Sequence, residues 1–223
     1  MVYKIMRSIR MKRLLKAEFF NLSKNWTLWL LMLFSIVDSY LDGIVPVRYD
    51  VVITGYEMYV MRLLAGLRYE VLICVFAVSF VYSEYKNHTL IHRFYGGFRR
   101  SQIFLAKAAA FFAGVLPIAL LHICVATAMA VSQNGWGRPQ NGAFLMEMSL
   151  RMLWYLAGCF CAGSSVLLAI PLTKNGIGAF GLGLCMAYLI QILAESVHEA
   201  FLYGSIAVLL VAAVRLFEKC DLN

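Results

Sequence analysis

Six stretches of this sequence are apolar over the length that a bilayer demands: Trp26–Ile44, Leu63–Tyr82, Ile103–Val131, Met152–Leu172, Gly176–Ala194 and Phe201–Phe217. A helix crossing the hydrocarbon core needs roughly 17–25 such residues. Lipid offers the backbone no hydrogen-bonding partner, so each stretch must satisfy its own amide groups as a helix. The composition agrees: 62% of residues are hydrophobic and 14% charged, against about 45–50% and about 25% in a soluble domain. The expected fold is an all-α integral membrane protein with six transmembrane helices. The spans leave no room in 223 residues for a sizeable soluble domain. The chain reads as a single transmembrane domain, with 1–25 ahead of the first span, 26–217 carrying the spans and 218–223 as a tail. The third stretch is long and contains Pro117, which predicts a kink or a broken helix. The sixth is short enough to join the fifth through a partly re-entrant turn.

Lysine and arginine set the orientation. Lys4, Arg7, Arg10, Lys12, Arg13, Lys16 and Lys24 precede the first span, and Lys86, Arg93, Arg99 and Arg100 fill the 83–102 loop. Lys174 follows the fourth span, and Arg215 and Lys219 lie near the end of the chain. The alternate loops hold only Arg48 and Arg62, then Arg138, then none. The positive-inside rule therefore puts both termini and the 83–102 loop in the cytoplasm. The net charge of +8 becomes a cytoplasmic rim rather than a surface for nucleic acid. Before the first span, Met11, Leu14, Leu15, Phe19 and Leu22 recur at helical spacing with Lys12, Arg13 and Lys16 between them. This pattern predicts an amphipathic helix lying in the cytoplasmic interface, its apolar face slightly spoiled by Glu18. Trp26 and Trp29 follow at headgroup depth, where aromatic anchors collect. The run from Trp26 ends in "DSYLDG" without a small-x-small cleavage site, so it reads as a retained span rather than a signal peptide.

Motifs for soluble chemistry fail in turn. "GIGAFGLG" at Gly176–Gly183 matches G-x-G-x-x-G, but a dinucleotide fingerprint needs a preceding strand. At the start of a membrane span its glycines point to close helix packing or a hinge. Five of the six cysteines, Cys74, Cys124, Cys159, Cys161 and Cys185, lie in apolar runs and read as small hydrophobes; Cys220 follows the last run. Glu195, His198 and Glu199 share a helical face, but no further ligand converges on them, so a solvated outer loop is the better reading than a metal site. The chain contains neither G-x-x-x-x-G-K-[ST] nor G-x-S-x-G, the signatures of an ATP-holding P-loop and of a nucleophile elbow. No catalytic or metal-binding residue is assigned, and the chain is not read as an enzyme. Within the spans, Asp38, Arg68, Glu70, His122 and Gln191 stand out as polar. They either line a substrate path or lock helices together; by depth, Asp38 near the outer end of the first span and Arg68 and Glu70 near the outer end of the second are placed to pair. Unpaired charges there would cost about 2.5–3.5 kcal/mol each on insertion scales.

Between the second and third spans lies "SEYKNHTLIHRFYGGFRRSQIFLAK", residues 83–107, a polar and basic island. Leu90, Ile91, Phe94 and Tyr95 recur at helical spacing, Gly96 and Gly97 break the helix, and Arg99 and Arg100 open the next one. An exposed short helix of this kind suits a groove on a partner; the plainer alternative is a basic loop that satisfies the positive-inside rule. The pattern Glu84, Thr89, Gly97, Arg100, Ile103 and Lys107 resembles the first cytoplasmic loop of permease subunits of the second class of ABC exporters. The opening "MKRLLKAEFFNLSKNWTLWLLMLFSI", Met11–Ile36, is similar to the start of the same family. One departure is His88, where the family usually has glycine before the threonine.

The resemblance implies six transmembrane helices, an N-terminal interfacial helix and a cytoplasmic coupling helix. It implies a permease in the plasma membrane of a bacterial cell, paired with a second copy or a sister permease. Separate ABC ATP-binding subunits would carry ATP and magnesium and drive export by alternating access. Glu84, Thr89, Leu90, Arg93, Phe94, Gly97, Arg99 and Arg100 would form the docking surface, apolar residues filling the partner's groove and arginines setting charge complementarity. The cargo class would be an antimicrobial peptide, a lipid-like molecule or a drug. Two other readings stand beside it: a multispan membrane enzyme such as a protease, and a membrane immunity or sensor protein that transports nothing.

Overall fold

The computed structural model describes residues 2–48, 52–64, 66–83, 98–197 and 199–219. Among these residues the secondary structure is entirely helical. The helices are α1 (Val2–Ser23), α2 (Trp26–Arg48), α3 (Gly55–Leu64), α4 (Gly66–Ala77, continued by a π-helical turn Val78–Tyr82), α5 (Arg100–Asn134), α6 (Gly142–Thr173), α7 (Gly176–Val197) and α8 (Glu199–Lys219). Their boundaries follow from local chemistry. The Asn25 side chain accepts from the Thr27 amide at 2.9 Å and separates α1 from α2. Asn141 accepts from the Phe144 amide at 2.9 Å and opens α6. Each supplies an acceptor for amides that a helix start leaves unsatisfied. Lys174, in a left-handed conformation with φ of 51°, closes α6, and Asn175 accepts from the Ile177 amide at 3.2 Å to open α7.

The chain folds back and forth along a shared axis. Ser39 of α2 donates to the His122 carbonyl of α5 at 2.7 Å, and Gly43 lies against Met129, so α2 and α5 run in the same direction. Tyr69 of α4 meets His122 and Phe76 meets Phe111, so α4 runs against α5. Phe217 of α8 stacks near Phe104 at the start of α5, which returns the last helix to the end where α1 lies. That end is the near end below, and the opposite one the far end. α6 is the hub: most of it is buried, whereas α2, α7 and α8 leave large side chains such as Leu33, Phe34, Leu189, Ile192, Val208 and Val211 exposed. In lipid such faces are solvated rather than stranded, which explains an apolar exterior around a core built on small residues.

Small residues let α7 approach α6. A side-chain carbon on Gly183 would come within 2.7 Å of the Val166 Cα and 2.9 Å of its amide nitrogen. No side chain fits between the two backbones there. Close packing is thus the structural role of this part of "GIGAFGLG".

Among the described residues five helices are long and apolar enough to cross a membrane, the pattern of an all-α, multi-pass membrane protein. They contain five of the six stretches identified from sequence. The remaining stretch, Leu63–Tyr82, differs from the expectation. Helix precedes it from Gly55, and the two limbs Gly55–Leu64 and Arg68–Tyr82 meet at a bend of 53°. Gly66 stands beside the break, where helix propensity is about 1 kcal/mol poorer than for alanine. The third stretch differs in the other direction: α5 is one continuous helix with Pro117 inside it, not a broken one. The α6 helix begins at Gly142, ahead of the expected Met152.

Candidate functional site

At the near end, α1 lies against α5. Leu14, Glu18 and Leu22 form its buried stripe, while Lys12, Arg13 and Lys16 are exposed. Glu18 does not spoil this face, as its sequence position suggested; it is the centre of the contact. Its carboxylate sits 3.5 Å from the Lys107 ammonium, and both side chains are almost wholly buried. Lys107 also lies 4.5 Å over the Phe80 ring, so one cation ties α1, α4 and α5 together. Arg100, expected to serve docking, is half-buried and donates to the Glu218 carbonyl of α8 at 3.4 Å. Arg99 is exposed. Glu84, Thr89, Leu90, Arg93, Phe94 and Gly97 lie outside the described residues, as do His88, His198 and Cys220.

Towards the far end, polar groups gather between α2, α3, α4 and α5. Asp38 and Asp42 are one turn apart on α2 and face the same way. Arg62 of α3 bonds Asp42 at 2.5 Å and lies 3.6 Å from Asp38. Tyr69 of α4 donates to Asp38 Oδ2, the same oxygen that Arg62 approaches, at 2.5 Å. Asp38 therefore holds both limbs of the broken α3–α4 segment. The expected pairing among Asp38, Arg68 and Glu70 is not the one formed. Arg68 is exposed and reaches Asp42 at 3.9 Å, and Glu70 points elsewhere. His122 is fully buried, with its ring 3.4 Å from that of Tyr69 and 5.6 Å from that of Tyr155.

Glu70 faces a cavity of about 600 Å³ walled by α3, α4, α6, α7 and α8. Gln191 donates from Nε2 to Glu70 Oε1 at 2.6 Å. Gly158 makes room for this pair: a side-chain carbon there would lie 3.3 Å from Gln191 Nε2 and 3.4 Å from Glu70 Oε1. Among the described residues no group bonds the second carboxylate oxygen of Glu70, although that atom is buried. Trp154, Tyr155 and Tyr188 contribute aromatic wall, and Leu63, Leu150 and Leu202 apolar wall. This is the composition of a ligand pocket: mostly apolar and aromatic, with a few convergent polar groups. Nearer the far end, Glu147 Oε1 accepts from Arg151 at 3.0 and 3.1 Å and from the Tyr56 hydroxyl at 2.6 Å. Arg138 lies 3.8 Å from Glu147 and stacks over the Tyr56 ring.

The structure thus places Glu70 and Gln191 together at the cavity, and Asp38 and His122 in the neighbouring polar core. Arg68 stands apart at the surface. Sequence reading missed Asp42, Arg62, Tyr69, Glu147, Arg151 and the Glu18–Lys107 pair. The spacing of Asp38 and Asp42 was a usable signal, since two carboxylates on one helix face inside an apolar run require a cation. No protein-family model, curated protein or solved structure matches the chain.

Proposed function

We propose that this chain is the membrane permease subunit of an ATP-driven exporter of the second ABC class, acting as a pair of permeases with separate ATP-binding subunits. The observation that carries this reading is the cavity of about 600 Å³ among the helices, with Glu70, Gln191 and an aromatic wall facing it. A space of that size inside a bundle suits a transported molecule better than a purely structural role does. If the bent α3–α4 pair is counted as one crossing, the described helices make six crossings, which would put both termini on one side, the cytoplasmic one by the positive-inside rule. The cavity, lined by the last turn of α3 and the first half of α6, then lies in the outer half of the bundle, as an export path in its outward-facing state requires. The sequence lacks a P-loop, so energy must come from another subunit, and the Glu84–Lys107 pattern supplies a docking helix for it. The buried Glu18–Lys107 pair and the Arg100–Glu218 contact tie the first turns of α5 to α1 and α8, so in this reading a movement that reaches the start of α5 is passed to both helices.

The docking claim is tested by Leu90→Glu combined with Phe94→Glu. Charges on the apolar face of the docking helix are expected to release the ATP-binding subunit from the purified complex while the chain stays folded in the membrane. Retention of the ATP-binding subunit by the double variant would contradict the docking role. A chain that functions in cells with no ATP-binding subunit would instead support an immunity or sensor protein that transports nothing.

A further inference from the structure

The chemistry of the cavity narrows what it can hold. Glu70 is the acidic group at its inner wall, and its residue is 6% exposed. One carboxylate oxygen accepts a hydrogen bond from Gln191 Nε2 at 2.6 Å, and among the described residues the other has no partner. A buried polar atom without a partner is costly, and the residue that carries it lines a space large enough for a ligand. The other acidic wall residue, Glu147, is already taken by Arg151 at 3.0 Å, so those two charges offset each other. Glu70 is left as the uncompensated acid facing the space. Around it stand Trp154, Tyr155 and Tyr188, whose ring faces attract cations.

We propose that the cavity between α3, α4, α6, α7 and α8 binds an amphiphilic cation, its charge held by Glu70 and the aromatic rings and its apolar body by Leu63, Leu150 and Leu202. This deepens the transport reading by naming the class of cargo, and it rests on that reading for the use of the site but not for the binding itself. A delocalised or hindered cation suits it best, because such an ion gives up little hydration on entering an apolar wall.

The test uses the full chain alone in nanodiscs, with tetraphenylphosphonium and tetraphenylborate as probes, by equilibrium dialysis against empty nanodiscs. The two ions share size and shape and differ in the sign of charge. Saturable binding of the phosphonium and none of the borate is expected. Glu70→Gln, which keeps the hydrogen bond to Gln191 and removes the charge, is expected to weaken phosphonium binding about tenfold or more. Glu57→Gln, at an exposed carboxylate bonded to Thr54 and away from the cavity, is expected to leave it unchanged. Equal binding of both probes to the unmodified chain, or full phosphonium affinity in Glu70→Gln, would overturn the proposal. No ATP-binding subunit is present in this assay, so its result stands apart from the docking test above: binding without docking would sink the transport reading alone, and docking without binding the cargo class alone.

Discussion

Lys107→Met is expected to destabilise the folded chain by roughly 3–5 kcal/mol, the usual cost of removing one partner from a buried ion pair. The reason is the residue left behind. Glu18 is fully buried between α1 and α5, and removing the ammonium 3.5 Å away takes a counter-charge from a carboxylate that water does not reach. The cation over the Phe80 ring is lost as well. Methionine fills nearly the same volume, so little of the effect comes from a cavity. Glu18→Leu introduced together with Lys107→Met is expected to restore most of the loss, because a well-packed apolar pair replaces a buried ion pair at little cost. Thermal unfolding of the full chain in detergent measures both variants. A double variant as unstable as the single one would show that the two residues do not act on each other.

The far-end cluster is expected to respond asymmetrically. Asp38→Asn with Asp42→Asn should cost about 3–5 kcal/mol, since it strands the Arg62 guanidinium, whose side chain is only 3% exposed, without a counter-charge. Arg62→Met should cost less. The carboxylates it leaves are 23% and 39% exposed, so water screens them, and Asp38 keeps its bond from Tyr69. The double aspartate variant should also loosen the hold of α2 on α3 and α4, which hydrogen exchange in 55–64 would report as faster exchange. A larger loss for Arg62→Met than for the aspartate pair would invert the assignment of which charge is buried.

Much of the architecture was legible because the bilayer dictates it. Long apolar runs had to be helices, and their limits fell close to the observed ones for Trp26–Ile44 and Gly176–Ala194. The failures have physical causes. Leu63–Tyr82 looked like one span because hydropathy is blind to direction; across the bend, Arg62 and Tyr69 meet at Asp38 from the two limbs, a convergence no local pattern encodes. Pro117 did not break α5, since a helix packed on several neighbours can absorb one missing hydrogen bond. Glu18 looked like a flaw in an amphipathic face because its partner lies far along the chain at Lys107. At the candidate site, Glu70 and Gln191 were recognised as out of place in lipid, but their meeting across the space left by Gly158 depends on tertiary packing. Arg62 was read as a loop charge because its position near the end of an apolar run says nothing of burial.

The central claim, that the cavity is a transport path driven by a separate ATPase, is tested most directly by its access to water in two states. Leu150, on the cavity wall and 56% exposed, can be replaced by cysteine in a chain whose native cysteines have been removed. The account predicts that a membrane-impermeant maleimide added from outside labels Leu150→Cys readily in the nucleotide-free complex, and that trapping ATP with vanadate on the ATP-binding subunit protects it. Labelling at the same rate in both states, unaltered by the ATP-binding subunit, would contradict it.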